Sequence, residues 1–222
     1  MFVVPFDVER IVFDLDGTLV DSAPDLHRAT NHVLTSVGRT EIPLEAVRHM
    51  VGEGAKRLIE KGLAHTGGIN GFDLDALLPT FLDFYKDNLC VESRLYDGAL
   101  EMLDALEARG IKSAVCTNKP VHLAEPLLEA LGIRQRFVAV TGGDSFPFRK
   151  PDPRHLTETL ALMGGIGGAV MVGDTISDTA AAKAAGVPSI LVSYGYLSGS
   201  LADLDADAIV DSLADIPGIL RA

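Results

Sequence analysis

From about residue 95 to the end of the chain, short apolar segments alternate with segments of helical periodicity. The apolar segments have the length and composition of buried strands, and they lie at 112–116, 137–140, 169–172, 189–192 and 208–210. Strands that alternate with helices predict an α/β fold with a doubly wound parallel sheet. Such sheets bind ligands beyond the carboxyl ends of their strands, so the residues after these segments are the first candidates for a functional site.

A further apolar segment near the start of the chain, Ile11-Val12-Phe13, is followed by Asp14-Leu15-Asp16-Gly17-Thr18. Side chains two positions apart share one face of a strand, so Asp14 and Asp16 point the same way at the strand's carboxyl end. Gly17 allows the backbone to turn sharply there. The two carboxylates repel each other, and a bound divalent cation would relieve that repulsion. The alternative interpretation is an ordinary turn that contains Asp16 and Gly17.

Three more groups of polar residues follow in chain order. They are Thr117-Asn118, Lys150-Pro151 and Gly173-Asp174-Thr175-Ile176-Ser177-Asp178. The first and third come directly after predicted strands, and the second lies in a predicted loop. Asp14, Thr117 and Asp174 each fall at the carboxyl end of a predicted strand, which places them in one crevice of the sheet.

Structural roles for the same residues stay open from these patterns alone. Thr117 and Asn118 suit the cap of the helix that follows them. Either Asp174 or Asp178 suits the N-cap of a helix, although this role does not account for both. Lys150 lies in a loop, where a lysine is usually solvated.

Between about residues 22 and 94 only helical periodicity is present, and glycine-containing breaks at 38–40 and 66–71 interrupt it. Apolar side chains with helical spacing form one stripe, which consists of Leu74, Leu77, Leu78, Phe81, Leu82, Phe84 and Tyr85. Such a stripe is typical of the core of a helical bundle. This segment therefore predicts a small insert of four helices within the α/β fold.

The composition limits the class of function. Apolar residues make up 47% of the chain and charged residues 23%, as is ordinary for a globular protein. The net charge of −12 argues against nucleic acid as a partner, and a phosphate site would have to be positive locally. Cys90 and Cys116 are too few for a disulfide framework and are expected to be buried thiols. Tyr194 and Tyr196 are expected to pack against the edge of the sheet.

The start of the sequence carries Asp7 and Glu9 where a secretory signal peptide needs basic residues. No apolar run is long enough to span a bilayer. We therefore expect a cytoplasmic protein without a membrane partner. No interface signature is evident, and either a monomer or a homodimer is expected.

Four motifs in this order resemble those of the haloacid dehalogenase superfamily of phosphohydrolases. They occupy 14–18, 117–118, 150–151 and 173–178. The best match within the superfamily is the phosphoglycolate phosphatase-like branch, and the resemblance covers nearly the whole chain. It implies a Rossmann-like catalytic core formed by residues 1–20 and 95–222. It also implies that the helical insert, residues 21–94, is a cap domain that closes over the site and excludes water.

The resemblance implies a mechanism for the aspartates. Asp14 would attack phosphorus and form an aspartyl-phosphate, and Asp16 would protonate the leaving oxygen and then activate water. Mg²⁺ would bind the Asp14 carboxylate, the backbone carbonyl of Asp16 and the side chain of Asp174. Asp178 would act through a metal-bound water or by pairing with Lys150. A simpler alternative is that Asp14 and Asp16 only hold metal.

The resemblance also implies how the phosphoryl group is held. Thr117 and Asn118 would donate hydrogen bonds to its oxygens, and Lys150 would supply a compact positive charge. Together with the metal ion, these groups would make the site locally positive in a chain whose net charge is −12.

Within the insert, Val51-Gly52-Glu53-Gly54 looks like the substrate loop of such a cap. Gly52 and Gly54 would let the backbone approach a small ligand. Lys56 and Arg57 follow, and they would meet a carboxylate of the substrate. The alternative is that the glycines only separate two helices.

These assignments predict a Mg²⁺-dependent phosphatase for a small phosphorylated metabolite, with 2-phosphoglycolate as the leading substrate. A phosphosugar phosphatase or mutase and a pyrophosphatase of the same fold are alternatives, and nucleotide monophosphates are alternative substrates. Asp16 argues against a phosphonate hydrolase, which would lack this acid/base residue. Such mutases usually carry Glu-Asp where this chain has Gly173-Asp174. A non-catalytic sensor of a phosphorylated metabolite is disfavoured, because the aspartates and the lysine of all four motifs are present.

Overall fold

The computed structural model describes residues 7–196, 201 and 204–221. The strands in these residues are β1 (Arg10–Phe13), β2 (Val20–Asp21), β3 (Arg94–Leu95), β4 (Lys112–Cys116), β5 (Phe137–Thr141), β6 (Ala169–Gly173), β7 (Ser189–Val192) and β8 (Ala208–Val210). Six of them form one sheet in the order β5-β4-β1-β6-β7-β8. Every neighbouring pair in that sheet is parallel, which confirms the predicted α/β fold.

The described residues also contain nine α-helices and two short 3₁₀ helices. The α-helices are α1 (Ala23–Ser36), α2 (Leu44–Arg48), α3 (Ala55–His65), α4 (Leu74–Asp87), α5 (Ala99–Ala108), α6 (Val121–Ala130), α7 (Pro153–Leu162), α8 (Ile176–Ala185) and α9 (Ile216–Ile219). The 3₁₀ helices are Arg134–Arg136 and Leu213–Asp215. None of the described helices has both the length and the apolar character needed to cross a membrane.

Helices cover both faces of the sheet. Since alternate strand residues point to opposite sides, neighbouring residues of one strand pack against different helices. Phe13 of β1 belongs to a buried cluster that includes Met102 of α5. Val12 belongs to a separate buried cluster that includes Leu156 of α7. A strand that is buried on both faces needs no polar alternation, and for this reason residues 11–13 of β1 and residues 114–116 of β4 are continuous apolar runs.

The central position of β1 determines where the site forms. Phe13 is paired with Val115 of β4 on one side and with Val172 of β6 on the other. Asp14 continues this ladder, since its N–H donates to the carbonyl of Val172 at 2.9 Å. The polar residues after β1, β4 and β6 therefore leave the sheet at one edge.

The helices α1 to α4 pack around a hydrophobic cluster of their own, to which Leu123 of α6 also contributes. Phe81 and Tyr85 of α4 are buried in it, and the other members of the predicted stripe are partly buried against it. This confirms the stripe as core. The division of the chain into two domains at residues 20 and 94 stays a prediction.

A short antiparallel ribbon, which the sequence did not predict, joins the two connections between the sheet and the helical insert. It is formed by β2 and β3, with Val20 opposite Leu95 and Asp21 opposite Arg94. Its strands are two residues each and carry no periodicity that could identify them. The ribbon brings both ends of the insert to the same place.

Asp25, in the first turn of α1, fastens this junction. Its Oδ2 accepts hydrogen bonds from the N–H groups of Val91, Glu92 and Ser93 and from the Ser93 hydroxyl, at 2.8 to 3.0 Å. Burial opposes ionisation, but the hydrogen bonds from Ser93 and Glu92 hold the pKa of Asp25 below its ordinary value. Its stabilising effect is therefore present at neutral pH and is lost as the pH falls through that lowered pKa.

We expect Asp25→Ala to lower the free energy of unfolding by about 3 kcal/mol at pH 7.5, because buried N–H donors lose their acceptor. Urea denaturation followed by circular dichroism measures this loss. Arg28→Ala is the matched control, since Arg28 pairs with Asp25 at 3.3 Å but is 34% exposed, and it should cost less than about 1 kcal/mol. Equal losses in the two variants would contradict this role of Asp25.

Candidate active site

Asp14 lies at the carboxyl end of β1, buried among charged groups. Its Oδ1 lies 3.0 Å from the Lys150 Nζ. That oxygen is buried and accepts no well-formed hydrogen bond within the described part of the chain. The pKa of Asp14 is raised to about 6, chiefly by burial. The Lys150 charge acts to lower this pKa, and the negative charges of Asp178 and Asp16 act to raise it.

Lys150 lies between two carboxylates, although its loop position suggested solvation as one interpretation. Its side chain is 1% exposed, and its Nζ lies 2.6 Å from Asp178 Oδ1 as well as 3.0 Å from Asp14. Burial opposes a charged amine, but Asp14 and Asp178 hold the pKa of Lys150 above its ordinary value. The lysine is therefore a permanent positive charge beneath Asp14.

Asp178 has a structural and an electrostatic role together. Its Oδ2 accepts hydrogen bonds from the Thr175 N–H and hydroxyl at 3.0 and 2.8 Å, which completes a capping box at the start of α8. Its other oxygen contacts Lys150. The helix-cap role considered from the sequence therefore does not compete with a role at the site.

Asp174 is fully buried at the end of β6. Its Oδ1 accepts the Thr18 hydroxyl at 3.0 Å, and its Oδ2 accepts the backbone N–H of Tyr196 at 2.8 Å. Burial, followed by the charges of Asp178 and Asp14, raises the pKa of Asp174 well above its ordinary value. Tyr196 is thus buried, as expected, but its backbone also contacts the site.

Glycines provide the space that Asp174 occupies. A Cβ at Gly17 or at Gly195 would overlap the Asp174 side chain. Gly17 also has a φ of +88°, a left-handed conformation that disfavours other residues. The turn after β1 therefore needs glycine for its backbone angle and for the aspartate beside it.

A divalent cation fits the acidic group. Asp14, Asp174 and Asp178 each offer a buried carboxylate oxygen within 4.8 Å of the others. The three carboxylates repel one another, the pKa of Asp14 is raised, and its Oδ1 accepts no well-formed hydrogen bond in the described part of the chain. A cation with oxygen ligands would relieve all three.

The residues after β4 form the opposite wall. The Thr117 N–H continues the sheet by donating to the Thr141 carbonyl at 3.0 Å, and its hydroxyl oxygen accepts from the Lys119 N–H at 3.2 Å. The Asn118 amide donates to the backbone carbonyls of Lys150 at 3.0 Å and Gly52 at 3.2 Å. In this structure the Asn118 side chain thus connects the sheet to the loop of the helical insert.

Lys119 is a residue of this site that the sequence analysis missed. Its Nζ lies 2.9 and 3.1 Å from the two carboxylate oxygens of Asp16 and 2.7 Å from the Tyr85 hydroxyl. Burial opposes its charge, but Asp16 and Tyr85 hold the pKa of Lys119 above its ordinary value. The Ser22 hydroxyl also donates to Asp16, at 2.5 Å. The sequence signal that could have identified Lys119 is its position, as a basic residue directly after the polar pair Thr117-Asn118 at a strand end.

Among the predicted residues of the helical insert, the two glycines and the two basic residues differ in position. Gly52 and Gly54 line a pocket above Asp14 and Asp16. Lys56 and Arg57 do not line this pocket, and their side chains are each 47% exposed.

The charges of those two basic residues are already paired on the surface. Lys56 lies 2.6 Å from Asp75, and Arg57 lies 2.5 Å from Glu60. Neither therefore offers its charge to a ligand above the aspartates in this arrangement.

Comparison with known proteins gives the family. The family model for a haloacid dehalogenase-like hydrolase matches residues 11–192. A phosphoglycolate phosphatase from Agrobacterium fabrum is 43% identical over 91% of this chain and 88% of its own length. One from Mesorhizobium japonicum is 44% identical over 90% of this chain and 89% of its own length.

Solved structures agree with these relatives. A crystal structure described as a predicted phosphoglycolate phosphatase from Haemophilus somnus superposes with a TM-score of 0.90 and 34% identity. The match covers 97% of this chain and 99% of that one. On this evidence, the chain belongs to the haloacid dehalogenase-like hydrolase family.

Proposed function

We propose that this chain is a Mg²⁺-dependent phosphatase that hydrolyses small phosphate monoesters, with 2-phosphoglycolate as its substrate. The observation that carries the proposal is the buried contact of Asp14 with Lys150 beside the acids Asp174 and Asp178. The names of the relatives from Agrobacterium fabrum and Mesorhizobium japonicum support this choice of substrate.

Asp14 is the nucleophile in this proposal. Its carboxylate attacks phosphorus, the ester bond breaks, and an aspartyl-phosphate forms on its side chain. Lys150 lies on the same side and stabilises charge on the transferring group. The Thr117 hydroxyl accepts a hydrogen bond from the Lys119 N–H, which leaves its own proton free to donate. In this proposal it donates that hydrogen bond to a phosphoryl oxygen.

Metal binding belongs to the acidic group. The Asp14 and Asp174 carboxylates and the Asp16 carbonyl hold Mg²⁺, and Asp178 acts through Lys150 or a bound water. The positive charge that Mg²⁺ supplies when bound there offsets repulsion between the phosphoryl oxygens and Asp14.

Asp16 transfers protons in both half-reactions. It first donates a proton to the leaving oxygen and then accepts one from the water that hydrolyses the aspartyl-phosphate. Lys119 and Ser22 fix the orientation of its carboxylate, at 2.9 and 2.5 Å from Oδ1. These two contacts hold the Asp16 side chain in one orientation in the site.

The helical insert, residues 21–94, acts as a cap domain. Its own hydrophobic cluster and its two-strand connection suit a unit that moves as one body over the site. Gly52 and Gly54 bring its backbone close to the bound phosphate ester. Closure of the cap excludes bulk water from the reaction.

One observation disfavours the phosphosugar mutase alternative. A Cβ at Gly173 would overlap the Asp178 side chain, so the glutamate that such mutases usually carry does not fit at this position beside the capping box. Phosphosugar phosphatase and pyrophosphatase activities are separated by experiment. The cytoplasmic location and the monomeric or homodimeric state stay predictions.

The test is phosphate release from 2-phosphoglycolate, glucose 6-phosphate, AMP and pyrophosphate. We expect kcat/KM for 2-phosphoglycolate to exceed the others by at least about a hundredfold, since its carboxylate adds a charged contact. Chelation by EDTA should abolish release, and added Mg²⁺ should restore it. Similar low rates with all four compounds would contradict the substrate, and full activity in EDTA would contradict the metal.

A further inference from the structure

The pocket above Asp14 and Asp16 has an apolar wall. It has about 480 Å³ of non-atom space, part of it open to solvent. Seven apolar residues line it, namely Leu26, Val51, Ala55, Leu58, Phe81, Pro120 and Leu123. A sugar or nucleoside would need hydrogen-bonding partners for several hydroxyl groups, and this wall has none in its side chains.

Two polar side chains line the same pocket beyond those assigned to the phosphoryl group. They are Lys119 and Tyr85, which contact each other at 2.7 Å. Lys119 is the only cationic side chain among the described residues that line the pocket. It is 6% exposed, so its charge is poorly screened by water, and a ligand carboxylate in the pocket would share this ammonium with Asp16, which lies 2.9 Å from it.

Tyr85 has an unused hydrogen-bond donor. An ammonium group only donates, so the Tyr85 oxygen accepts the hydrogen bond from Lys119. The hydroxyl proton of Tyr85 then has no acceptor within the described part of the chain. The side chain is almost fully buried, at 1% exposed, so an acceptor from a ligand would satisfy a donor that is shielded from water.

We propose that Lys119 and Tyr85 form a subsite for the carboxylate of the substrate, and that they select phosphate esters that carry an acid group close to the ester oxygen. This inference rests on the proposed phosphatase function. The carboxylate accepts a hydrogen bond from the Tyr85 hydroxyl and lies against the Lys119 ammonium. The pair replaces Lys56 and Arg57, which do not line the pocket, as the predicted acid-binding groups.

The spacing suits a two-carbon acid. The leaving oxygen contacts Asp16, whose carboxylate lies 2.9 Å from the Lys119 Nζ. In 2-phosphoglycolate, the carboxylate carbon is two bonds of about 1.5 Å each from that oxygen. A group so close to the leaving oxygen necessarily lies near Lys119 when Asp16 protonates the ester.

The subsite also connects the two parts of the fold. Lys119 lies just after β4 of the sheet, whereas Tyr85 belongs to α4 of the helical insert. A bound carboxylate contacts both and favours the arrangement in which the insert covers the site. The energy of binding the acid group is thereby used to hold the cap closed.

The test compares 2-phosphoglycolate with ethyl phosphate, in which a methyl group replaces the carboxylate. We expect Tyr85→Phe to reduce the wild-type preference for 2-phosphoglycolate about tenfold, mainly through KM. Lys119→Met should reduce that preference at least about thirtyfold, because a charged partner is lost. In both variants the inhibition constant of glycolate should rise, while that of inorganic phosphate changes less than about twofold.

Lys86→Met is the matched control, because Lys86 follows Tyr85 on the same helix and is exposed. It should retain the wild-type preference. Equal losses with both substrates in Tyr85→Phe and Lys119→Met would overturn the subsite and leave the phosphatase function standing. A wild-type enzyme that hydrolyses both substrates equally would overturn the choice of 2-phosphoglycolate and the subsite together. If the wild type released phosphate from neither of them, nor from glucose 6-phosphate, AMP or pyrophosphate, the phosphatase function itself would be overturned.

Discussion

We expect Asp14→Asn to lower kcat for 2-phosphoglycolate by at least about 10⁴-fold while the protein stays folded. An amide is a far weaker nucleophile than a carboxylate and cannot form the aspartyl-phosphate. It is also neutral, so it binds a divalent cation less well beside Asp174 and Asp178. The loss of the nucleophile and the weaker metal binding both lower kcat.

The same substitution should stabilise the metal-free protein at neutral pH. The pKa of Asp14 is raised to about 6, whereas the ordinary value is 3.8. Between these values the native state holds more protons than the unfolded state, so stability falls as the pH rises. Above pH 6 the ionised carboxylate costs the wild type roughly 3 kcal/mol, at 1.36 kcal/mol for each pKa unit.

Asp14→Asn removes that cost. The difference in unfolding free energy between variant and wild type should therefore appear as the pH rises from about 4 to 7 in EDTA. Urea denaturation at both pH values measures it, and phosphate release measures kcat. Asp83→Asn, at an exposed position on α4, is the control for the chemical change itself. Turnover near the wild-type rate in Asp14→Asn would sink the mechanism.

The position of Asp14 shows how much could be predicted from the sequence. Apolar segments of strand length identify buried strands, and parallel strands place their carboxyl ends at one edge. Asp14, Thr117 and Asp174 follow from these two rules, and the register of β1 with β4 and β6 agrees with them. The fold and this edge of the site are therefore determined by local patterns.

The partner of Asp16 could not be predicted in the same way. Lys119 and Tyr85 are 34 positions apart and belong to different layers of the fold. Tyr85 belongs to an apolar stripe, and its hydroxyl is one atom of an otherwise ordinary core residue. Which polar tip of a core side chain reaches a neighbouring layer depends on how the insert packs on the sheet, and periodicity carries no information about that.

Lys56 and Arg57 show the converse limit. They follow the predicted substrate loop, and their charge made them the natural partners for an acid group. The first residues of a helix point in several directions, however, and nearby acids at Asp75 and Glu60 pair with them on the surface. Proximity in sequence to a loop that lines a pocket does not place a side chain in that pocket.

We expect Lys150→Met to reduce both activity and stability by large amounts. At pH 7.5 the free energy of unfolding should fall by about 3–5 kcal/mol, because Asp14 and Asp178 are buried and lose the cation between them. For a chain of this size, that is a decrease in Tm of about 10 °C. Activity should fall at least about a hundredfold, because a charge beside the transferring group is removed.

The loss of stability in Lys150→Met should depend on pH in a definite direction. The pKa of Lys150 is raised in the folded state, so its stabilising effect is fully present below the ordinary value of 10.5 and is lost only as the pH rises through the raised one. On the acid side, protonation of Asp14 removes one of its two partners near pH 6. The gap in stability between Lys150→Met and wild type should therefore narrow from pH 7.5 to pH 4.

Calorimetry with and without Mg²⁺ tests the electrostatic origin of this loss. Since a divalent cation at Asp14, Asp174 and Asp178 supplies part of the missing positive charge, Mg²⁺ should raise the Tm of Lys150→Met more than that of wild type. Lys150→Arg keeps the charge but changes its shape, and it should regain stability without regaining full activity. If Lys150→Met unfolds within about 1 °C of wild type at pH 7.5, the lysine does not hold these acids together, and the negative charge that builds up around Asp14 must be balanced by the metal alone.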